Sequence, residues 1–521
     1  MNTKTGLRTV VVLLLAVLIV AAGPLAAQGR QTPPPEYKEL VAAYGLKDPA
    51  LRLREFERIK AAYPNSRFSE AIEASIQDAK VALAETLDAV LALQREFLVE
   101  GKGPERLQKP IAMAVQLLNH PRLETFDHAK VLDIALAYRA AALKAAADPA
   151  SYEGIPQEQR DLFKSNVLSA VDLLTARAYL NAGDTDKAMA SIEAYKKAGG
   201  ATGGNYYYVL AGALESTGKT AEAADAYLSA AAEEYMDAAE KARRLYIGLH
   251  GSADGFEAAL EAKLKALPFH PGPFKAPSEW KGKAVLAELF TGSECPPCAG
   301  ADLAFDGLVE TFPARYLAVL VYHLPIPRPD PLMNPATALR AGAYGVNSAP
   351  TVVIDGTNKS VGGGGRGAAE GKFGQYRSAI EPLLSAVPAV SLKANASLLG
   401  DAIKVEYDFD KTVPGAEYLL ALVQDEQEHK GSNGVAFHKM VVRDLVVIDP
   451  AAPKMAAFDL AASEKTTDAY LTEFEKTYVR VPGFKWEVRR NAIPRKGLRV
   501  VLFVQEKASG KVLNAVVAAV K

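Results

Sequence analysis

The stretch AVLAELFTGSECPPC, residues 284–298, holds both cysteines of a 521-residue chain, Cys295 and Cys298, so any sulfur chemistry is confined to it. An apolar run, 284–290, passes through Thr291-Gly292-Ser293 into Cys-Pro-Pro-Cys. Beyond it Leu303, Phe305, Leu308 and Val309 fall on one helical stripe across 299–311. A CxxC between a buried strand and a helix is a redox arrangement for a physical reason. The first thiol sits where unpaired N–H groups and the helix dipole favour a thiolate, the form that attacks disulfides. Two intervening residues let the second thiol reach back to it. Pro296 and Pro297 suit a first helical turn, where a missing N–H costs little and φ is already near the helical value.

Length and composition limit what surrounds that motif. At roughly 100 to 200 residues per domain, 521 residues predict three or four domains. Hydrophobic residues at 49% and charged residues at 23% describe globular material with ample core. Sixty Lys and Arg against 61 Asp and Glu leave a net charge of −1, so no polyelectrolyte partner is implied and nucleic acid is not expected. Zinc at the CPPC is disfavoured because a structural site takes four ligands and no further cysteine exists. His429 and His438 lack a carboxylate or thiol pattern that would define a metal site, and His323 at a strand end reads as structural. The GGGGRG run, 362–367, lacks the Gly-Lys-Ser/Thr ending of a phosphate loop and reads as a glycine turn. No cofactor and no metal are expected.

The amino terminus bears on compartment. Lys4 and Arg8 precede thirteen uninterrupted apolar residues, 10–22, and then GPLAA, the layout of a secretory signal peptide cut after Ala27. The competing reading of 1–27 is an uncleaved membrane anchor, because no charge separates Arg8 from Arg30. Both readings place the bulk of the chain outside the cytoplasm, secreted or periplasmic, with membrane contact only if the leader stays. Residues 28–36 form a Pro-rich tether.

Residues 37–267 read as helical, with breaks at 63–65, 101–104, 148–156 and 199–204. Aligning Gly183 with Gly218 gives a period of 35 that superposes Ala188 on Ala223, Ile192 on Tyr227 and Tyr179 on Leu214. YLNAGDTDKAMASIEAY and LESTGKTAEAADAYLSAA therefore resemble tetratricopeptide repeats, clearest over 165–235, although the Trp and the terminal Pro of that pattern are missing. Such an arm is either a spacer or a concave surface for a protein partner.

After the Pro-rich join at 267–280, residues 268–387 resemble a thioredoxin-fold domain. The features are strand 285–290, CPPC, helix, strand 316–322, helix 334–344, and GVNSAPTVVIDG at 345–356. In thioredoxin-like proteins a cis-proline ahead of a strand faces the CxxC, and Pro350 in Ala349-Pro350-Thr351 matches that position. Thioredoxin itself has Trp just before its first cysteine and a buried Asp six residues before it; Glu294 and Leu289 stand at those places here. Glu288 is a candidate buried base for Cys298 if the 291–293 turn contains a bulge, and otherwise faces the other side of the sheet. The ELFTG-x-x-CPPC run and VYHLPIPRPDPLMNPAT, with Arg340 soon after, look more like a secreted thioredoxin-like family, some of whose members carry a β-rich domain afterwards. Residues 388–521 alternate in strand fashion, suggesting an immunoglobulin-like sandwich.

The expected architecture is thus multidomain, α plus α/β plus β. The expected activity is an extracytoplasmic thiol-disulfide oxidoreductase, with Cys295 attacking, Cys298 resolving and Pro350 shaping the cleft. Its substrates would be proteins carrying disulfides or thiols, with a lean toward reduction. The alternative is a secreted binding or scaffold protein whose CPPC is a structural clip.

Overall fold

The computed structural model describes residues 35–521 apart from 98–100, 199, 201, 480 and 482. The expected leader, 1–27, and most of the tether lie outside the described residues. Among the described residues no helix is long and apolar enough to cross a membrane. The chain divides into two compact units, Met1–Leu260 and Glu261–Lys521.

The described part of the first unit is helical, and its elements end where the sequence breaks. Asp48, Asp127 and Asp184 each cap a helix by accepting a backbone N–H in the first turn, which satisfies donors that no helical carbonyl can reach. The 35-residue register is also a structural one. Gly183 and Gly218 take positive φ of 81° and 76° in the turns before Thr185–Lys197 and Thr220–Ala232, a conformation that other residues adopt only with strain. Ala188 and Ala223 are each fully buried, and Ile192 and Tyr227 occupy the equivalent buried sites one helical turn on.

The second unit begins with β1 (Val285–Thr291), α1 (Ala299–Thr311), β2 (Leu317–His323), α2 (Pro335–Ala343), β3 (Thr351–Ile354), β4 (Asn358–Val361) and α3 (Ala369–Ile380). It continues with β5 (Leu392–Leu399), β6 (Ala402–Phe409), β7 (Ala416–Glu428), β8 (Phe437–Ile448), β9 (Met455–Asp459), α4 (Leu460–Thr477), β10 (Leu498–Glu506) and β11 (Val512–Ala519). Eight strands form one sheet in the order β11-β10-β7-β8-β2-β1-β3-β4, and β5-β6-β9 form a second. β1 and β2 run parallel, joined through α1, while β3 and β4 add as antiparallel partners beyond β1.

Here the structure differs from the expected boundary at 387/388. Residues 388–521 do not stand apart as a sandwich, because β8 joins β2 in parallel at Val441 and Val321 and brings β7, β10 and β11 into the CPPC sheet. The reason is legible in β7, where the run YLLALV is apolar on both faces. Leu419, Ala421 and Val423 enter the core built around β1 and β2. Tyr418, Leu420 and Leu422 pack with Ile403, Val405 and Phe458 of the three-stranded sheet. A strand buried on both faces belongs inside a layered structure, whereas a sandwich strand with one solvated face would alternate with polar residues. Buried polar links lock the halves together: Arg340 Nη1 donates to Gln505 Oε1 at 2.6 Å, and Lys283 Nζ donates to Val512 O at 2.9 Å while pairing with Asp355 at 2.9 Å. The helix α4 was also not expected inside an all-β segment. Its buried stripe, Leu460, Ser463, Thr467 and Leu471, is half polar, so its hydrophobic period is faint.

Candidate functional site

β1 delivers the chain to the Gly292–Glu294 turn, and Cys295 follows in extended conformation with φ −116° and ψ 92°. Pro296–Cys298 make one tight 3-10 turn that runs into α1, with Cys298 N donating to Cys295 O at 2.8 Å. The prolines thus occupy the opening turn, where no N–H is needed. Cys295 and Cys298 are joined as a disulfide across a Cα separation of 5.3 Å. Both are buried, Cys295 being 1% exposed and Cys298 0%.

Pro350 lies at this disulfide. The Ala349–Pro350 peptide is cis, and Ala349 O stands 3.8 Å from Cys295 Sγ. A strap from the glycine run closes the same corner. Gly362 N donates to Pro350 O at 3.0 Å, Gly364 N to Pro297 O at 2.7 Å, and Gly300 N returns a bond to Gly364 O at 2.8 Å. A Cβ on Gly363 would sit 2.0 Å from Pro297 O and 2.7 Å from the Pro350 ring, so backbone can approach the two prolines only without a side chain. The run is therefore a close-packed turn after β4, and its glycines need no phosphate to explain them.

Glu288 is not brought to the cysteines. The β1–β2 register is unbroken from Val285 to Thr291, so no bulge rotates Glu288 toward α1. It alternates with Leu289, which lines a small cavity with Asp302, and so faces the opposite side of the sheet. There it is fully buried against Arg340, whose Nε and Nη2 donate to its two oxygens at 2.7 and 2.9 Å, and Tyr344 adds a bond at 2.6 Å. A carboxylate whose two oxygens are held by a guanidinium fork is a structural ion pair. Glu288 therefore stands with Arg340 on the face away from α1, not in the base position expected of it. Glu294, the residue before Cys295, is opposed by Arg328 at 3.6 Å, which offsets the repulsion it would exert on a neighbouring thiolate.

Under the turn lies a buried polar group that sequence reasoning did not assemble. His323 Nδ1 pairs with Asp330 Oδ2 at 2.9 Å, and the same oxygen accepts Ser293 N at 2.5 Å. Although burial by itself would raise it, Asp330 is held down to about 2 by His323 and by the N–H groups of Leu332 and Ser293. The His438 ring meets His323 edge-on at 4.9 Å, and burial, reinforced by His323, pushes His438 down to about 3. Among the described residues, no group of three or more His, Cys, Asp or Glu side chains is arranged to hold a metal ion.

The residue missed in the sequence is Asp302, four positions after Cys298 on α1. It is 7% exposed, and burial pushes its carboxyl up to about 7 against the opposing pull of Thr291, His323 and Asn433. Asp306, one turn further, is pushed up to about 8, also by burial, with Lys439 4.0 Å away. Two acids four apart inside an otherwise buried apolar helix were the available signal. Compared with protein-family models, curated proteins and solved structures, the chain shows no significant match.

Proposed function

We propose that the chain is an extracytoplasmic thiol-disulfide oxidoreductase in which residues 268–387 form a thioredoxin-like core and Cys295 and Cys298 are the redox pair. The carrying observation is the placement of Cys295 just ahead of a helix N-terminus, with the Pro350 peptide against its sulfur. In the reducing direction Cys295, as thiolate, attacks a protein disulfide. A Cys295–substrate bond forms, and the first substrate sulfur leaves as a thiolate that takes a proton from solvent. Deprotonated Cys298 then attacks Cys295 Sγ, so the Cys295–Cys298 bond forms as the mixed disulfide breaks and releases the second substrate sulfur. Two electrons pass from the pair to the substrate, and a dithiol reductant reopens the pair for another turnover. Pro350 would present backbone to an extended substrate segment.

The rest of the chain is read around that core. The two-sheet layering of 388–521 is taken as an immunoglobulin-like sandwich sharing one sheet with the redox core, and the helical unit as tetratricopeptide-like, a surface for a protein partner. Export by the 1–27 leader agrees with a formed disulfide, since such bonds persist in oxidising compartments.

A second reading, a structural clip in a binding protein, is favoured by the 1% exposure of Cys295. Insulin reduction driven by dithiothreitol separates the two. The oxidoreductase reading requires activity in the wild type that is lost in Cys295→Ser, and equal activity of the two proteins ends it. A clip would also have a potential below about −300 mV and slow alkylation after reduction, whereas an exchanger lies higher with one fast thiol.

A further inference from the structure

The segment 478–497, between α4 and β10, carries Arg489, Arg490 and Arg495, and Arg443 reaches it from β8. Arg443 stands at an irregularity of its strand. Leu422 pairs with Asp444 and Val423 with Val442, which leaves Arg443 as the extra residue of a bulge. A bulge re-aims the side chain it carries. Here the side chain is buried, 3% exposed, and its Nη2 donates to Arg490 O at 2.6 Å and to Ala492 O at 3.1 Å.

The acids of this region are already committed elsewhere. Asp468 and Glu475 pair with Arg489 at 2.7 and 3.2 Å. Glu464 pairs with Arg495 and accepts Ile493 N at 2.8 Å. Asp444, next to Arg443 in the chain, accepts Leu445 N at 2.8 Å and bonds Ser463. Among the described residues neither Arg443 nor Arg490 forms an ion pair, and Arg443 Nη1 and Arg490 Nε are buried with no hydrogen-bond partner.

A guanidinium taken out of water without an anion is costly, because it loses hydration and gains nothing of opposite sign. Burial pulls Arg443 down to about 10, and Glu464 only partly opposes this. A water molecule would satisfy the open N–H groups but leave the charge uncompensated. An anion does both. A third donor stands nearby: His429, just after β7, is close enough to Arg490 to feel its charge, and its Nε2 is also buried with no partner. Burial, reinforced by Arg490 against the pull of Asp330, lowers His429 and favours the neutral ring, which offers an N–H without adding charge.

We propose that Arg443 and Arg490, with His429 beside them, form a binding site for one small oxyanion, a phosphate or a carboxylate, that enters from the half-buried Arg490 side. Arg443 supplies the buried charge and Arg490 closes over the ligand. Guanidinium forks suit this class because their planar N–H pairs match two oxygens of a carboxylate or phosphate. A bound anion would tie the 478–497 segment, which has neither helix nor strand, to β8. Binding does not depend on the state of the cysteines.

The test is isothermal titration calorimetry of the full chain, disulfide closed, against sodium phosphate and sodium acetate, with ionic strength held constant by sodium chloride. Wild type should take up one equivalent, and the anion bound more tightly identifies the ligand as phosphate or carboxylate. Arg490→Gln, which has no ion pair to lose, should weaken binding at least about tenfold with its melting temperature in chloride unchanged. Arg443→Lys keeps the charge, loses the fork and should weaken binding as well; if it does not fold, Arg490→Gln decides alone. Arg489→Gln removes a neighbouring arginine that is already paired and should bind as wild type does. No saturable uptake of either anion up to about 10 mM, or equal binding by Arg490→Gln and wild type, overturns the proposal. An equal loss in Arg489→Gln also overturns it, because that would report only the charge of the segment.

Discussion

Arg340→Met tests the conclusion that Glu288 is structural and that its ion pair ties the CPPC sheet to the C-terminal strands. The Arg340 and Glu288 side chains are 3% and 0% exposed, and Arg340 also bonds Gln505 on β10 and Tyr344 just after α2. Removing one partner of a buried pair leaves an uncompensated charge and costs about 3 to 5 kcal/mol. The hydroxyls of Tyr344 and Tyr322 still face the carboxylate at 2.6 and 3.3 Å, which favours the lower half of that range. With a urea m-value of about 3 kcal/mol/M, the midpoint should fall by about 1 to 1.3 M. The assay is tryptophan fluorescence, because Trp280 and Trp486, the only tryptophans, both lie in the second unit and report on it alone. The double variant Glu288→Leu/Arg340→Met should recover most of the loss, since an apolar replacement of the whole pair removes the stranded charge. A loss below about 1 kcal/mol in the single variant would refute the reasoning, because that is the worth of an exposed pair. Glu288→Gln should likewise destabilise the unit yet leave the pH profile of disulfide exchange unshifted; a shifted profile would restore Glu288 as the base.

Asp330→Asn probes the acid that holds the Ser293 turn. Its folded pKa of about 2 lies below the ordinary carboxylate value, so its contribution is present above about pH 4 and is lost as pH falls toward 2. The variant should be less stable at pH 6 by about 2 kcal/mol, with the gap closing below pH 4; a gap independent of pH would contradict the assignment. Gly363→Ala should lift the strap from Pro297 and Pro350 and speed iodoacetamide labelling of Cys295 after reduction, followed by mass spectrometry. An unchanged rate together with an unchanged melting temperature would show that the strap does not cover the cysteine.

The core around the CPPC was legible because its signals are local. The apolar run of β1, the CPPC and the stripe on α1 follow one another, and each element appears where its pattern predicts. The Pro350 position came from a motif resemblance, and the structure places its peptide at Cys295. The joining of β8 to β2 was not legible, since a single registered pair, Val321 with Val441, leaves no trace in either strand's own periodicity. Double-sided burial of β7 and β10 was visible as continuous apolar runs, but such runs do not say what covers the second face. The buried setting of Asp302 was not legible because it includes Asn433, a contact across 131 residues.

The central claim, that Cys295 exchanges bonds with an outside sulfur, is tested most directly by trapping. Reduced Cys298→Ser is mixed with a peptide carrying a single disulfide, and the products are mapped by mass spectrometry. The account predicts one peptide linked to Cys295 through a mixed disulfide that persists because no second thiol resolves it. Recovery of unmodified Cys295 under conditions where dithiothreitol reduces the same peptide would contradict it.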